Sequence, residues 1–355
     1  MYFKTQRAKS FKQFALLKGN DTLYVEIHLE KEGMLVSIYY IGADGGGTRT
    51  TAVLISETGK ILKVCRGKGL NYNAIGMEKA QAHLKTLVDE LTRGLPDESE
   101  IKIGVGMSAL DDLPTEKQLS DFAGNVFQKE NLFLHSDAYM ALMAATLGES
   151  GVLVICGTGS MAVYADETLK QTPAGGWGYL LGDYGSSYQL AIDGIKAAIR
   201  AFEETGEKTT LKDAMMTRFS LSAPRRLIDY VYAPSTLPSD IAQFAIDVLN
   251  EAHSGDQTAM AIVTEHFDIL SRIVDSLTKH ALPDVIWLFG GVFEHNKWVI
   301  GLFEKMLSRF KIGIHASLIP YPPAIGSAVY AMNKCGALTD EILKNIKNTY
   351  KETDF

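Results

Sequence analysis

Two copies of one local pattern constrain the fold of this 355-residue chain more than any other feature. β-branched and apolar runs at residues 38–43 and 50–56 flank the segment Asp44-Gly-Gly-Gly-Thr48. The same arrangement recurs at residues 151–164 around Gly157-Thr-Gly159. Each unit predicts two strands joined by a glycine-rich turn, because glycine accepts backbone conformations that other residues avoid. The repetition predicts a duplicated architecture.

Strand and helix patterns alternate through the rest of the chain, which is long enough for two domains. Helices are predicted at residues 78–93, 115–127, 137–147, much of 186–280, 297–309, 323–333 and 338–350, and further strands at 101–105, 131–135 and 284–289. We predict an α/β fold with a cleft between two domains. The first would comprise residues 34–147 plus 338–352, and the second residues 148–337.

Composition narrows the class of protein. Acidic residues outnumber basic ones, 42 against 35, and the net charge of −7 argues against binding nucleic acid through its phosphates. No apolar run reaches the roughly 18 residues that indicate a membrane span. The three cysteines, Cys65, Cys156 and Cys335, are far apart and indicate neither a disulfide framework nor a metal site. We therefore expect a cytoplasmic protein that acts on a small molecule, without nucleic-acid or membrane partners.

The N-terminal residues differ in character from the chain that follows. Residues 1–20 contain basic side chains and no acidic one, and they lack the apolar core of a secretory signal. Residues 23–30 alternate in a way that predicts an edge strand. We interpret residues 1–33 as an extension or as a start assigned too early, and we expect the fold proper to begin near Met34.

The glycine-rich turns differ from common nucleotide-binding loops. A dinucleotide fingerprint leads from a strand into a helix, whereas Gly45-Gly-Gly47 leads into a β-branched strand, and no Gly-Lys-Ser/Thr follows. A glycine turn between antiparallel strands still presents backbone N–H groups that can wrap phosphates. A plain hairpin turn is the alternative for one loop alone. Two matched loops, ending in Thr48 and in Thr158 and Ser160, favour phosphate binding.

Six segments, in order, resemble one group of proteins. Asp44-Gly-Gly-Gly-Thr-Arg-Thr50 and Cys156-Gly-Thr-Gly-Ser160 resemble the two phosphate loops of the actin/hexokinase/heat-shock-chaperone ATPase superfamily, and Leu288-Phe-Gly-Gly-Val292 resembles its adenosine loop. Similar to its N-acetylglucosamine kinase branch are Asn71-Tyr-Asn-Ala-Ile-Gly76, Ser136-Asp-Ala138 and Gly175-Gly-Trp-Gly-Tyr-Leu-Leu-Gly-Asp-Tyr-Gly-Ser-Ser-Tyr188. The resemblance spans roughly residues 39–335. It implies two actin-like, ribonuclease H-like domains with nucleotide and sugar in the cleft between them.

The resemblance implies roles for two aspartates. Asp137 would orient the attacking sugar hydroxyl and accept its proton, as the matching residue does in the family. The alternative is a helix N-cap, and one carboxylate oxygen can cap while the other stays free. Asp44 would hold Mg²⁺ through waters. Its alternative is a turn residue that hydrogen-bonds its own backbone.

The other candidate residues divide between sugar and nucleotide. By resemblance, Trp177 between Gly176 and Gly178 forms a wall against the sugar, and Asn71 and Asp183 bond its hydroxyls. Core packing for Trp177 and turn roles for Asn71 and Asp183 are the alternatives. The residues expected to bind ATP are Gly45, Gly46, Gly47, Thr48, Gly157, Thr158, Gly159, Ser160, Gly290 and Gly291. Gln243 stands where a related kinase has glycine, so no nucleotide contact is assigned to it.

The resemblance thus implies an ATP- and Mg²⁺-dependent kinase that phosphorylates the 6-hydroxyl of N-acetylglucosamine, as a homodimer. N-acetylmuramic acid, glucosamine and N-acetylmannosamine differ from that sugar by few atoms and stay open as substrates. An ATPase that activates a 2-hydroxyacyl-CoA dehydratase is a second hypothesis. Such proteins hold an iron–sulfur cluster with cysteines, and the dispersed cysteines here argue against it. A non-catalytic sugar sensor or an actin-like assembly protein is a third.

Overall fold

The computed structural model describes residues 37–110 and 113–355, together with the backbone of two strands nearer the N-terminus. Those strands, β1 (Lys12–Lys18) and β2 (Asp21–Ile27), pair antiparallel in a two-stranded sheet of their own. The edge strand predicted at residues 23–30 overlaps β2, and its partner is β1 rather than a larger sheet. Met34, where we expect the fold proper to begin, lies outside the described residues.

The first five-stranded sheet is built on the first glycine-turn hairpin. Its strands are β3 (Ile38–Gly45), β4 (Arg49–Ser56), β5 (Ile61–Lys68), β6 (Glu100–Met107) and β7 (Leu132–Ser136), in the spatial order β5-β4-β3-β6-β7. β4 pairs antiparallel with both β3 and β5, whereas β6 and β7 run parallel to β3. The predicted hairpin and the predicted strands at 101–105 and 131–135 are confirmed, and β5 was not predicted.

The second five-stranded sheet repeats this topology. Its strands are β8 (Gly151–Cys156), β9 (Ser160–Ala165), β10 (Gln171–Gly175), β11 (Val285–Phe289) and β12 (His315–Leu318), in the order β10-β9-β8-β11-β12. β8, β9 and β10 are antiparallel neighbours, and β11 runs parallel to both β8 and β12. The predicted duplicated α/β fold is therefore confirmed. The strands β10 and β12 were not predicted.

Helices connect and cover the sheets. They are α1 (Tyr72–Ile75), α2 (Met77–Thr92), α3 (Glu116–Ala123), α4 (Asp137–Thr146), α5 (Ser187–Phe202), α6 (Leu211–Arg218), α7 (Leu227–Val231), α8 (Pro238–Ala242), α9 (Ala245–His253), α10 (Gln257–Leu277), α11 (Gly291–Glu294), α12 (Lys297–Leu307), α13 (Pro323–Lys334) and α14 (Asp340–Thr349). The helix predicted at residues 115–127 ends early, at Ala123, because Gly124 turns the chain with a φ of 52°. No helix in the described part of the chain is long and apolar enough to cross a membrane.

The pair α4 and α13 lies between the two sheets. Alternate residues of a strand face opposite sides, so Tyr40 of β3 packs with α4 and α13 while Ile41 packs with α2 and α3. In the second sheet Leu153 joins the same central core, whereas Val154 joins the helices of the outer face. In the part of the chain described from residue 37 onward, the two five-stranded sheets and their helices thus form five layers, with helices outside each sheet and the α4–α13 pair as the layer that both sheets share.

Glycines let this central layer pack at close range. A Cβ on Gly326 of α13 would lie 2.0 Å from the Met140 carbonyl oxygen of α4, and one on Gly42 would lie 2.0 Å from that of Ala324. A Cβ on Gly104 would lie 1.9 Å from the Ser327 carbonyl oxygen. Real atoms cannot approach so closely, so only glycine permits the observed separation of α13 from α4, β3 and β6.

The C-terminal helices contact the first sheet. Ile342 and Ile346 of α14 pack in the shared core, and Asn345 donates a 2.7 Å hydrogen bond to the carbonyl of Thr58 in the β4–β5 turn. Ser327 of α13 donates to the carbonyl of Ala43 on β3 at 2.9 Å. The division that groups residues 323–337 with the second half of the chain stays a prediction, and α13 itself packs against strands of the first half.

Alanine substitutions at two helical glycines distinguish the effect of close packing on stability from the effect of helix propensity. Gly326→Ala should destabilise the protein by about 1–3 kcal/mol or more, because α4 and α13 must move apart. Propensity alone predicts a gain of about 1 kcal/mol. Gly301→Ala in α12, where a Cβ meets nothing within 4 Å, should be neutral or stabilising. Urea denaturation measures both, and equal effects of the two substitutions would contradict the packing account.

Candidate active site in the cleft

The carboxyl ends of parallel strands from both sheets meet at one cavity of about 390 Å³. We call this the central cavity. Its lining includes Asp44 near the end of β3, Asp137 after β7, residues 157–160 after β8, Gly176, Gly178, Asp183, Phe289 and Pro323. Both halves of the chain contribute to it. Ligands in sheets of this kind bind outside the carboxyl ends of the strands, so this cavity is the candidate active site.

Asp137 is the first residue of α4, and Ser136 caps the helix. The Ser136 hydroxyl oxygen accepts a hydrogen bond from the backbone N–H of Tyr139 at 3.3 Å. The N-cap role considered for Asp137 is therefore wrong. One oxygen of its carboxylate accepts a hydrogen bond from the N–H of Ala138 at 2.7 Å, and this bond holds the side chain at the N-terminus of the helix. The half-buried carboxylate lines the central cavity.

Asp44 brings a second negative charge to the same cavity. It lies in register with Gly106 on β6, whose neighbour across the sheet is His135 on β7. Burial and, to a smaller extent, the negative charge of Asp137 together raise the pKa of Asp44 to about 6. A cation bound beside the two carboxylates would reduce the repulsion between their negative charges.

The residues present fit a magnesium ion bound together with phosphates. Among the described residues, no group of three or more His, Cys, Asp or Glu side chains is arranged to hold a metal. Mg²⁺ rarely needs such a cage, because it keeps several waters and takes one or two carboxylates plus substrate phosphates. Asp44 and Asp137 are the carboxylates in the central cavity that could bind such an ion, and the predicted metal role of Asp44 stays a proposal.

The second glycine loop, residues 157–160, lines the central cavity. It is held by the start of α5, since the N–H groups of Ser187 and Tyr188 donate to the carbonyls of Gly157 and Thr158 at 2.8 and 3.3 Å. From the other side β11 ends against it: a Cβ on Gly290 would lie 2.5 Å from the Cys156 carbonyl oxygen, and its φ is 102°. This tight fit accounts for glycine at position 290.

The first glycine loop is placed differently. The N–H of Gly46 donates to the carbonyl of Arg49, and the carbonyl of Gly46 accepts from Leu70, so the loop closes on itself and on the chain after β5. Gly47 and Thr48 are exposed. None of the residues 45–48 is among those that line the central cavity, although Asp44 immediately before them does. Their predicted contact with ATP stays untested.

Three of the predicted sugar residues reach the central cavity. Gly176, Gly178 and Asp183 line it, and the Asp183 carboxylate accepts from the N–H of Gly178 at 3.1 Å. Burial raises the pKa of Asp183, while hydrogen bonds from the N–H groups of Gly178 and Ser160 act in the opposite direction. The buried carboxylate thus fastens the loop that follows β10.

Trp177 and Asn71 lie outside that lining. Trp177 is 73% exposed and borders a neighbouring cavity of about 430 Å³ between the same loop and α10, so core packing does not explain it. Asn71 caps α1 by accepting from the N–H groups of Asn73 and Ala74, and its side-chain amide donates to Ser108 Oγ at 3.2 Å. Both ends of that amide are engaged within the chain.

A further cavity opens beside the second glycine loop. It measures about 380 Å³, and Thr158 and the predicted nucleotide residue Gly291 line it together with Ser187, Ser239, Gln243, Asn250, His295 and Asn296. Sequence reasoning assigned no contact to Gln243 and did not find the two asparagines. The one signal in the sequence for this cavity was Gln243, which stands where a related kinase has glycine. We call this the helical cavity.

The duplicated sheets, the shared helix pair and the cleft define an actin-like ATPase fold. The chain belongs to the BadF/BadG/BcrA/BcrD ATPase family, which it matches over residues 41–331. It is 27% identical over 311 residues to the N-acetyl-D-glucosamine kinase of Dictyostelium discoideum, covering 83% of this chain and 98% of that protein. It is 28% identical over 307 residues to the N-acetylmuramic acid/N-acetylglucosamine kinase of Clostridium acetobutylicum, covering 84% and 99%.

Solved structures agree with this fold. A candidate N-acetylglucosamine kinase from Chromobacterium violaceum superposes with a TM-score of 0.67 at 24% identity, covering 83% of this chain and 99% of that one. The family resemblance predicted from the motifs is therefore confirmed.

Removing the charge of Asp44 should stabilise the protein in a pH-dependent way. The folded-state pKa of Asp44, about 6, exceeds the ordinary 3.8, so ionising this carboxylate destabilises the folded protein. This destabilisation is absent below about pH 4 and reaches its full size above about pH 6. We expect Asp44→Asn to raise the free energy of unfolding at pH 7.5 by up to about 3 kcal/mol and not at pH 4. Denaturant titration at both pH values measures this. An equal gain at both would contradict the assigned cause.

Proposed function

We propose that this protein is a kinase that transfers the terminal phosphoryl group of ATP to an amino sugar, namely to the 6-hydroxyl of N-acetylglucosamine. The observation that carries the proposal is the position of the Asp137 carboxylate. It lies in a cavity whose other walls are a glycine loop able to receive phosphates and a loop, 176–183, able to receive a sugar. The names of the two curated relatives support the amino-sugar class.

Each wall of the central cavity has a chemical role in this proposal. The second glycine loop receives the phosphates through its turn residues Thr158 and Gly159, because the N–H groups of Gly157 and Ser160 already donate to the Gly159 carbonyl and to Asp183. The Asp183 carboxylate and the glycine backbone around Trp177 bond the sugar hydroxyls. Asp137 orients the attacking hydroxyl and accepts its proton, while Ser136 is the N-cap of α4. Mg²⁺, held beside Asp44, would neutralise charge on the phosphates. The adenosine would occupy the helical cavity beside Gly291.

N-acetylmuramic acid is a second candidate substrate. One relative carries both sugars in its name, and the two differ only by a lactyl ether on the ring. The neighbouring cavity beside Trp177 gives room for such a substituent next to the sugar loop. The two sugars are therefore tested side by side.

The cysteine positions weigh against the iron–sulfur alternative. Cys65 is buried on β5 and Cys156 is buried at the end of β8, whereas Cys335 is exposed after α13. A cluster shared between two subunits needs exposed thiols close together. Only one of the chain's three cysteines meets the first condition. A homodimer in the cytoplasm stays a prediction from the sequence.

Turnover by the wild-type protein tests the sugar class. We expect Mg·ATP hydrolysis to be slow alone and strongly stimulated by N-acetylglucosamine, with N-acetylmuramic acid, glucosamine and N-acetylmannosamine compared in the same coupled ADP-release assay. Bound sugar supplies the nucleophile that Asp137 activates, which is why stimulation is expected. ADP release that no sugar accelerates would reject the kinase proposal.

Loss of the Asp137 carboxylate should remove turnover and spare the fold. We expect Asp137→Asn to lower kcat about 10²- to 10⁴-fold, because a general base of this kind contributes that much. Its Oδ1 can still accept from Ala138, and Ser136 still caps α4, so the unfolding midpoint should stay near that of wild type.

Asp213→Asn, an exposed aspartate on α6, removes the same charge away from the cleft and serves as the matched control. It should leave kcat unchanged. Wild-type kcat in Asp137→Asn would refute the base assignment.

A further inference from the structure

A buried histidine outside the central cavity contacts the loop that carries Asp183. His266 lies on α10 and is 4% exposed. Its Nδ1 accepts a hydrogen bond from the backbone N–H of Gly185 at 3.2 Å, and its Nε2 lies 2.9 Å from Oδ2 of Asp193 on α5. One imidazole thus joins two helices to the loop, although 81 positions separate it from Gly185 in the sequence.

The two contacts fix the tautomer of His266. A backbone N–H can only donate, so Nδ1 must be the unprotonated nitrogen that accepts from Gly185. Nε2 then carries the proton, and its N–H donates a hydrogen bond to Asp193. The hydrogen bond from His266, together with that from Lys196, lowers the pKa of Asp193 to about 2. The acceptor that orients the ring is therefore ionised throughout the ordinary pH range.

The segment that His266 holds connects the two sides of the central cavity. Asp183 anchors Gly178 of the sugar loop, and the carbonyl of Tyr184 accepts a 2.7 Å hydrogen bond from Ser160 Oγ in the second glycine loop. Asp183 has a φ of 65° and Gly185 one of 82°. Non-glycine residues rarely adopt such a conformation, so surrounding contacts must maintain it.

Gly185 is buried and closely packed. A Cβ there would lie 3.2 Å from Leu270 Cδ2 and 3.5 Å from Cys156 Sγ, and the residue is buried. Loss of Nδ1 would therefore leave the Gly185 N–H buried without a partner, which disfavours the observed turn. The turn would then release Asp183 from its place in the cavity wall.

We propose that His266, oriented by Asp193, is a positioning residue for sugar binding: it holds the turn at residues 183–185 so that Asp183 and Gly178 face the central cavity. This inference rests on the proposed kinase function. His266 touches neither the cavity nor the reacting groups, and it acts through the backbone of Gly185.

Two substitutions separate the two hydrogen bonds of the ring. In His266→Asn the side-chain oxygen can replace Nδ1 as acceptor for Gly185, and the bond to Asp193 is lost. In His266→Gln the amide can replace Nε2 as donor to Asp193, and the acceptor for Gly185 is lost. We expect His266→Gln to raise the sugar KM roughly tenfold, the change that one such bond to a buried group represents. His266→Asn should stay within about threefold, and both should keep the KM for ATP within about twofold.

Steady-state kinetics with N-acetylglucosamine measures these constants, and hydrogen exchange of the substrate-free protein reports on the turn itself. The amide of Gly185 should exchange faster in His266→Gln than in wild type and in His266→Asn. Equal sugar KM values in the two variants, or unchanged exchange at Gly185 in His266→Gln, would overturn the inference. If the wild type shows no sugar-dependent turnover, the proposed function fails, and the exchange measurement still decides whether His266 holds the turn.

Discussion

The close contact of α4 with α13 is the constraint on which the rest of the structure depends. Gly326 allows α13 to approach the backbone of α4, and Gly42 and Gly104 allow the same helix to approach the first sheet. Both helices begin at the cleft, α4 with Asp137 and α13 with Pro323, and both residues line the central cavity. The packing that joins the two sheets therefore also sets where the candidate base stands relative to the glycine loop of the second sheet.

The chemistry of the cleft follows from placing two carboxylates in one partly buried space. Asp44 lies near the end of β3 and Asp137 follows β7, two positions away in the first sheet. Burial and then the nearby charge of Asp137 raise the pKa of Asp44. Such an arrangement costs stability in the free protein, and a cation bound with phosphates would relieve it. Asp183 faces them from the second half, where the turn held by Ser160 and His266 fixes it. One side of the site is therefore formed by strand and helix ends of the first sheet. The other side is a loop that hydrogen bonds hold in place.

The elements that could be predicted from the sequence are those that a short stretch of residues specifies by its own pattern. Both hairpins were recognisable because β-branched runs flank glycine turns, and α2 because its apolar residues recur at helical spacing. The missed strands lack such signals: β10 contains Pro173, β12 has four residues, and β5 is interrupted by charged residues and Gly67. At the site, motif residues such as Asp137 and Asp183 were identified from their neighbours in the chain. Gln243 and His266 reach their places only through helix packing, which no local pattern reveals.

The fate of the terminal phosphoryl group tests the central claim most directly. The protein would be incubated with Mg²⁺, N-acetylglucosamine and ATP labelled in its γ-phosphate, and the products separated and identified. The account predicts that the label appears in a sugar 6-phosphate in proportion to the ADP formed, and that Asp137→Asn forms little of it. Label released as inorganic phosphate at the same rate with and without sugar would contradict the account, because the cleft would then activate water and no sugar hydroxyl.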